Sequence, residues 1–277
     1  MLLMEPNPTP YDLRWRMLGT DVRVHPMFWL VSVIMGANTL EIGIPYLLVW
    51  VGCVFVSILI HELGHVWMGQ AFGAHGHIVL YGFGGLAIGS NQLASRGQRM
   101  GVCFAGPLAG FVFLGMIFGI LWITDPEGFP FYLMMAAMDL GLPHGEAFQH
   151  ALPRISHPLI LEAISNLIFI NLFWGLMNLL PIWPLDGGQI SRDAWLGVSP
   201  EAGLTRSLGL SMLLAGLLAI HCILVRFGKQ LLPLPIGGVY AGILFAVLAL
   251  QSFQLLQQAN AEQRWRDQHW NDGDDLY

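Results

Sequence analysis

The chain is predicted to be an all-α polytopic membrane protein with about six transmembrane helices, on three observations. Of its 277 residues 55% are hydrophobic and only 11% charged, and the mean hydropathy is +0.60. An ordinary globular domain is about a quarter charged, and no soluble core absorbs so many apolar side chains. The apolar residues gather in runs of about the 20 residues that a bilayer-crossing helix needs. The basic residues are concentrated in the loops of one side, as the positive-inside rule requires.

The opening "MLLMEPNPTPYDLRWRM" lacks the basic-then-apolar order of a signal peptide, so residues 1–23 are expected to stay as a cytoplasmic N-terminal segment. Residues 24–256 form a six-span domain. Span 1 is about Val24–Leu40, short and reinforced by the neighbouring aromatics Phe28 and Trp29. Span 2 covers about Pro45–Phe72, span 3 Met100–Thr124, span 4 Pro158–Leu180, span 5 Leu204–Val225 and span 6 Ile236–Leu256. "FPFYLMMAAMDLGLP" (129–143) is apolar but short and interrupted by Asp139, which suits an interfacial or re-entrant segment. Residues 257–277 are a polar, frayed helical tail on the cytoplasmic side.

With the N-terminus inside, nine arginines (14, 16, 23, 96, 99, 192, 206, 264 and 266) are cytoplasmic, and Arg154, Arg226 and Lys229 lie outside. Both termini are then cytoplasmic. Short-looped spans without a cleaved leader fit a prokaryotic inner membrane. The net charge of −6 forms no basic stripe, which argues against a nucleic-acid partner. Cys53, Cys103 and Cys222 lie in apolar segments without CxxC spacing, so neither a disulfide framework nor a cysteine zinc site is expected.

Span 2 carries "ILIHELGHVW" (58–67). Ionisable groups inside a span are costly enough to be functional by default. His61 and His65 are one turn apart on a single helix face and can both bind one zinc ion. Glu62 beside them can reach a metal-bound water, take its proton and leave a hydroxide nucleophile. A catalytic zinc takes three protein ligands. Asp186 is the candidate third, following the helix-breaking "PIWP" and preceding Gly187 and Gly188, which let the backbone pass close to another element. Taken alone, the Asp-Gly pair also reads as a simple turn. Spans 2 and 4 both run inward and bring the two clusters to one side at similar depth.

These residues resemble the site-2 protease family of intramembrane zinc metalloproteases, peptidase family M50. His61-Glu62-Leu63-Gly64-His65 matches its first motif, and Asn178 to Pro181 with Leu185 to Gly188 matches its second. "AGPLAG" (105–110), "VRVHP" (22–26) and "GFGGLA" (82–87) resemble further family segments, and the likeness extends from about Thr20 to Gln189. It implies a three-helix catalytic core within about residues 45–190. One Zn2+ per chain would be held by His61, His65 and Asp186, with Glu62 as base. It also implies a small membrane-associated β-hairpin that receives an extended substrate, and cleavage of transmembrane protein substrates near the cytoplasmic face. Gln189 departs from the basic residue or histidine common after the paired glycines, and regulatory membrane partners would supply control.

Gly84 and Gly85 in the hairpin are candidate substrate-binding positions, since their glycines permit close backbone approach and a strand edge can pair with a substrate. The alternative is a glycine-rich turn. Asn178 is a candidate oxyanion donor or simply bonds another helix. His25, His75, His77, His144, His150, His157, Glu162 and His221 have bland readings as anchors, loop residues or structural partners. Two other functions are open: a membrane metal carrier using the same ligands, and a catalytically silent membrane chaperone on the same scaffold, against which intact His61, Glu62, His65 and Asp186 speak.

Overall fold

A computed structural model describes residues 5–82, 84–142, 152–232, 234 and 236–274, without the side chains of residues 240 and 266–274. The chain divides into two compact units, Met1–Asn178 and Leu179–Tyr277.

In the first unit, β1 (Leu13–Met17) and β2 (Thr20–Val24) form an antiparallel hairpin, and β3 (His77–Tyr81) pairs antiparallel with β4 (Gly84–Ile88). β2 and β3 run parallel, joining the hairpins into one sheet of order β1-β2-β3-β4. The β3–β4 hairpin meets the sequence expectation; the β1–β2 hairpin lies where only a tail was expected. His25 extends the β2–β3 ladder with its N–H on the Leu80 carbonyl at 2.9 Å. Its Nδ1 accepts from the Met27 amide at 3.1 Å, so it caps α1 (Pro26–Met35), which starts with proline in the first turn.

α1 has ten residues and rises about 15 Å, half of a hydrocarbon core of about 30 Å. Gly36, a 3-10 turn (Ala37–Glu41) and Gly43 separate it from α2 (Ile44–Ala71). Among the described residues five helices are long and apolar enough to cross a membrane, and the first expected span is this short helix. α2 and α3 (Arg96–Thr124) are two of the five. α4 (Phe129–Asp139) is an eleven-residue apolar helix where a non-spanning segment was expected. The fourth expected span is α5 (Pro158–Phe169), a π-helical segment Ile170–Trp174 and α6 (Gly175–Asn178). His144 and His150 lie outside the described residues.

Two apolar clusters set the positions of these elements. Val22, Val24, Ile78 and Leu80 of the sheet pack with Phe28 of α1 and Leu63 and Val66 of α2. The strands' buried side therefore lies on the same helical segment that carries the histidines. Leu114 and Leu121 of α3 pack with Tyr132 of α4 and Ile164 and Ile168 of α5. Asp125 caps the end of α3, taking hydrogen bonds from the Gly128 amide (3.0 Å), the Tyr132 hydroxyl (3.0 Å) and the Arg154 amide (2.8 Å). Burial alone would raise its pKa; these donors outweigh burial and hold it below the usual range.

The second unit comprises α7 (Asp186–Val198), α8 (Gly203–Arg226) and α9 (Val239–Asp274). α8 packs along α9 and against α7.

Candidate metal centre

The imidazoles of His61 and His65 stand 3.1 Å apart, Nε2 to Nε2, with their rings nearly perpendicular. His65 is 6% exposed and Glu62 5% exposed. The His65 Nδ1 lies 2.7 Å from the Val102 carbonyl of α3. A carbonyl only accepts, so Nδ1 carries the proton and the Nε2 lone pair faces His61. This is the outer hydrogen bond that orients a metal-ligating histidine.

α3 approaches closely enough to make that bond because it presents small residues. A Cβ on Gly106 would overlap the Nε2 and Cε1 atoms of His65, and one on Gly64 would overlap the Ala105 carbonyl. Pro107 follows Gly106 inside the helix, where it cannot donate to the carbonyl four residues back. "AGPLAG" thus makes room for the His65 ring, a role its small residues alone did not specify.

β4 closes the other side of the helical turn that carries Glu62. Gly85 pairs with Leu80 of β3, and a Cβ on it would overlap Glu62 Cγ and Oε1. The strand backbone therefore packs directly against the glutamate. Gly84 begins the strand at φ +126°, a conformation that suits glycine, with open space around its Cβ position. Among the described residues β4 pairs with β3 alone, so it is an edge strand of the sheet. Asn178 is half-buried at the end of α6.

In the second unit, Asp186 occupies the first turn of α7, where the helix dipole favours a carboxylate. The paired glycines after it are required by close packing. Added Cβ atoms on Gly187 would overlap the carbonyls of Leu179 and Leu180, and on Gly188 would press on Ile182 and Trp183. The "PIWP" segment is pinned by Ser211 of α8, which accepts from the Trp183 amide and donates to the Pro181 carbonyl, both at 3.1 Å. Ser211 carried no signal of this role; with Ser207 it is one of two serines in an apolar helix.

Whether this site fits zinc is decided by the donors. In a tetrahedral site with Zn–N bonds of about 2.0–2.1 Å, two nitrogens stand about 3.3 Å apart. The 3.1 Å separation of the two Nε2 atoms is close to that spacing. Imidazole pairs of one turn's spacing on a rigid helix are also a donor set that zinc accepts.

Residues 49–220, more than half of the chain and including both motifs, match the family model "Peptidase family M50". The chain belongs to peptidase family M50. It is 29% identical over 226 residues to a zinc metalloprotease of Methanocaldococcus jannaschii, covering 78% of this chain and 57% of that one. It is 27% identical over 251 residues to stage IV sporulation protein FB of Bacillus subtilis, covering 88% of this chain and 69% of that one. The solved site-2 protease from Methanocaldococcus jannaschii aligns at a TM-score of 0.46 with 21% identity, over 91% of this chain and 95% of that chain. With its five long apolar helices, this M50 chain is an integral membrane protein.

Proposed function

We propose that this M50 chain is an intramembrane zinc endopeptidase that cuts transmembrane segments of membrane proteins near the cytoplasmic face. The observation that carries the reading is the His61–His65 pair, aimed Nε2 to Nε2 and locked by Val102, with Glu62 buried beside it. His61, His65 and Asp186 offer two imidazole nitrogens and a carboxylate oxygen, the donor set of a catalytic zinc site. Both motifs fall inside the region matched to the family, and a relative is named a zinc metalloprotease.

His61, His65 and Asp186 would hold the zinc ion, which would supply Lewis-acid chemistry toward a scissile carbonyl and a water molecule. Glu62, held between α2 and the backbone of β4 at Gly85, accepts the proton of the attacking water and passes it to the leaving amine nitrogen. One water is consumed and one peptide bond broken. β4, starting at Gly84 and Gly85, offers a strand edge on which an unwound substrate helix can lie extended. Asn178 is assigned to stabilise the oxyanion. The same reading puts the chain in a prokaryotic inner membrane with both termini cytoplasmic, releasing effectors by regulated intramembrane proteolysis under the control of membrane partners.

Glu62→Gln tests this. The variant is expected to keep one zinc per chain and to lose cleavage of a co-expressed membrane substrate. Undiminished cleavage refutes the assignment of the base, and metal flux into proteoliposomes that survives the substitution favours a metal carrier instead.

A further inference from the structure

One turn before His61, three helices of the first unit meet at a buried polar node. Cys53, Ser57, His61 and His65 follow at four-residue intervals on one side of α2. On α5, Glu162 and Asn166 keep the same interval, and Asn166 Nδ2 donates to Glu162 Oε1 at 3.1 Å. Asn171 comes five positions later. In an unbroken α-helix five residues turn about 500°, carrying Asn171 about 140° away from Asn166. That rotation turns Asn171, the second residue of the π segment Ile170–Trp174, to a different side of the helix from Asn166.

Asn171 is accordingly buried against α2. It is 3% exposed, as is Ser57, and its Nδ2 donates to Ser57 Oγ at 2.9 Å and to the Leu167 carbonyl at 2.8 Å. α3 completes the node with Gly110, where an added Cβ would stand 3.4 Å from Asn171 Oδ1. Gly110 lies one turn beyond Gly106, so one face of α3 accommodates both the asparagine and the His65 ring. An amide and a hydroxyl in an apolar span are costly unless bonded, and a π turn departs from the regular hydrogen-bond ladder. Their joint effect is directional. A rotation of α2 by about 15° would move a side-chain end about 6 Å from its axis by roughly 1.5 Å. Metal–ligand distances tolerate about 0.2 Å.

We propose that Ser57 and Asn171 are positioning residues for the histidine pair, their hydrogen bond fixing the rotation of α2 so that both Nε2 atoms address a common centre. This rests on the metal-binding reading above. The test loads the purified full chain with cobalt(II) and reads its dissociation constant by chelator competition and its visible ligand-field band. His61→Ala, expected to lose cobalt binding, anchors the metal reading; if His61→Ala binds as tightly as wild type, that reading fails. With the anchor in place, Ser57→Ala and Asn171→Leu are each expected to weaken cobalt binding about tenfold and to shift the band. The double variant is expected to be no weaker than the worse single one. Cys53→Ala serves as a packing control, because Cys53 Sγ joins the same two helices through the Ala163 carbonyl at 3.7 Å. It is expected to lower the melting temperature with the band unchanged. Should Asn171→Leu fail to fold, Ser57→Ala removes a single oxygen and still decides. A wild-type band and affinity in Ser57→Ala overturn the proposal.

Discussion

Two clusters of polar groups in the first unit are buried to similar degrees and built on opposite plans. Around Arg23 the groups close on one another. Its guanidinium donates to Glu5 Oε1 at 2.7 Å, to the Pro6 carbonyl at 2.9 Å and to Asp12 Oδ2 at 3.0 Å. Asp12 also takes the Thr9 hydroxyl at 2.6 Å and the Thr9 amide at 3.1 Å. Around His65 the backbone fixes one edge of the ring, at Val102, and Gly106 leaves space beside it, while Nε2 turns toward a second nitrogen. A cluster that neutralises its own charges stiffens the chain. One that brings two imidazole nitrogens of neighbouring helical turns together is arranged to receive a cation.

Arg23→Met should separate the two plans most strongly. Removing the cation leaves buried Asp12 only the longer, 3.5 Å contact to the exposed Arg14 guanidinium, which costs about 3 kcal/mol for a broken buried pair. The expected result is a marked fall in thermal stability with zinc content per folded chain unchanged. Loss of zinc in parallel would show that the sheet and the centre are one cooperative element. Acid probes the same cluster. Burial alone would raise the Asp12 pKa, but the Thr9 hydroxyl and amide and the Arg23 guanidinium outweigh it and hold the carboxyl well below the usual range. A carboxylate depressed in the folded state contributes its full stability above its ordinary pKa of about 3.9 and loses it as pH falls below that value. Melting temperature should therefore hold from pH 6 to 5 and fall steeply toward pH 3, and Arg23→Met should flatten that fall.

The next effect belongs to the metal centre. In Gly106→Ala the new methyl group occupies the position of the His65 ring. Displacing a ligand or catalytic group by about 1 Å costs about 100-fold in rate. Cleavage should drop by about that factor with weaker zinc retention, while the melting temperature changes little. Normal zinc binding in this variant would mean that α3 yields and that the Gly106 contact does not set the ring.

These contrasts mark what was legible in the sequence. α2 could be placed nearly to the residue because Gly43 and Pro45 open it and no acidic or basic side chain but His61, Glu62 and His65 interrupts its apolar run. The histidine pair and the glutamate stood out because ionisable residues are rare inside a span. The β3–β4 hairpin was readable from its glycines. The β1–β2 hairpin was not, since "LRWRM" and "TDVRV" carry arginines and an aspartate that read as a charged loop until Arg23 finds Asp12. The first span was overextended because hydropathy averages across Gly36, where α1 ends. Asn171 stayed hidden for a related reason. It lies about 140° round the helix from Asn166, off the side that Glu162 and Asn166 mark, and reads as a lone polar residue in an apolar run.

The smallest effect expected is also the one that divides two roles for the same strand. Gly85 lies on β4 with its Cβ direction toward Glu62, so an added methyl meets the Cγ and Oε1 atoms of that side chain and leaves the strand's outer hydrogen-bonding edge untouched. Carboxylate ends are flexible and can give way, so Gly85→Ala should keep zinc and fold normally. If the glycine serves to seat Glu62, kcat should fall about tenfold, or about 1.4 kcal/mol in the barrier, with KM unchanged. If instead Gly85 serves the pairing of an extended substrate, the loss should appear in KM with kcat preserved. A split in kcat alone would tie β4 to Glu62, and a split in KM alone would tie it to the peptide.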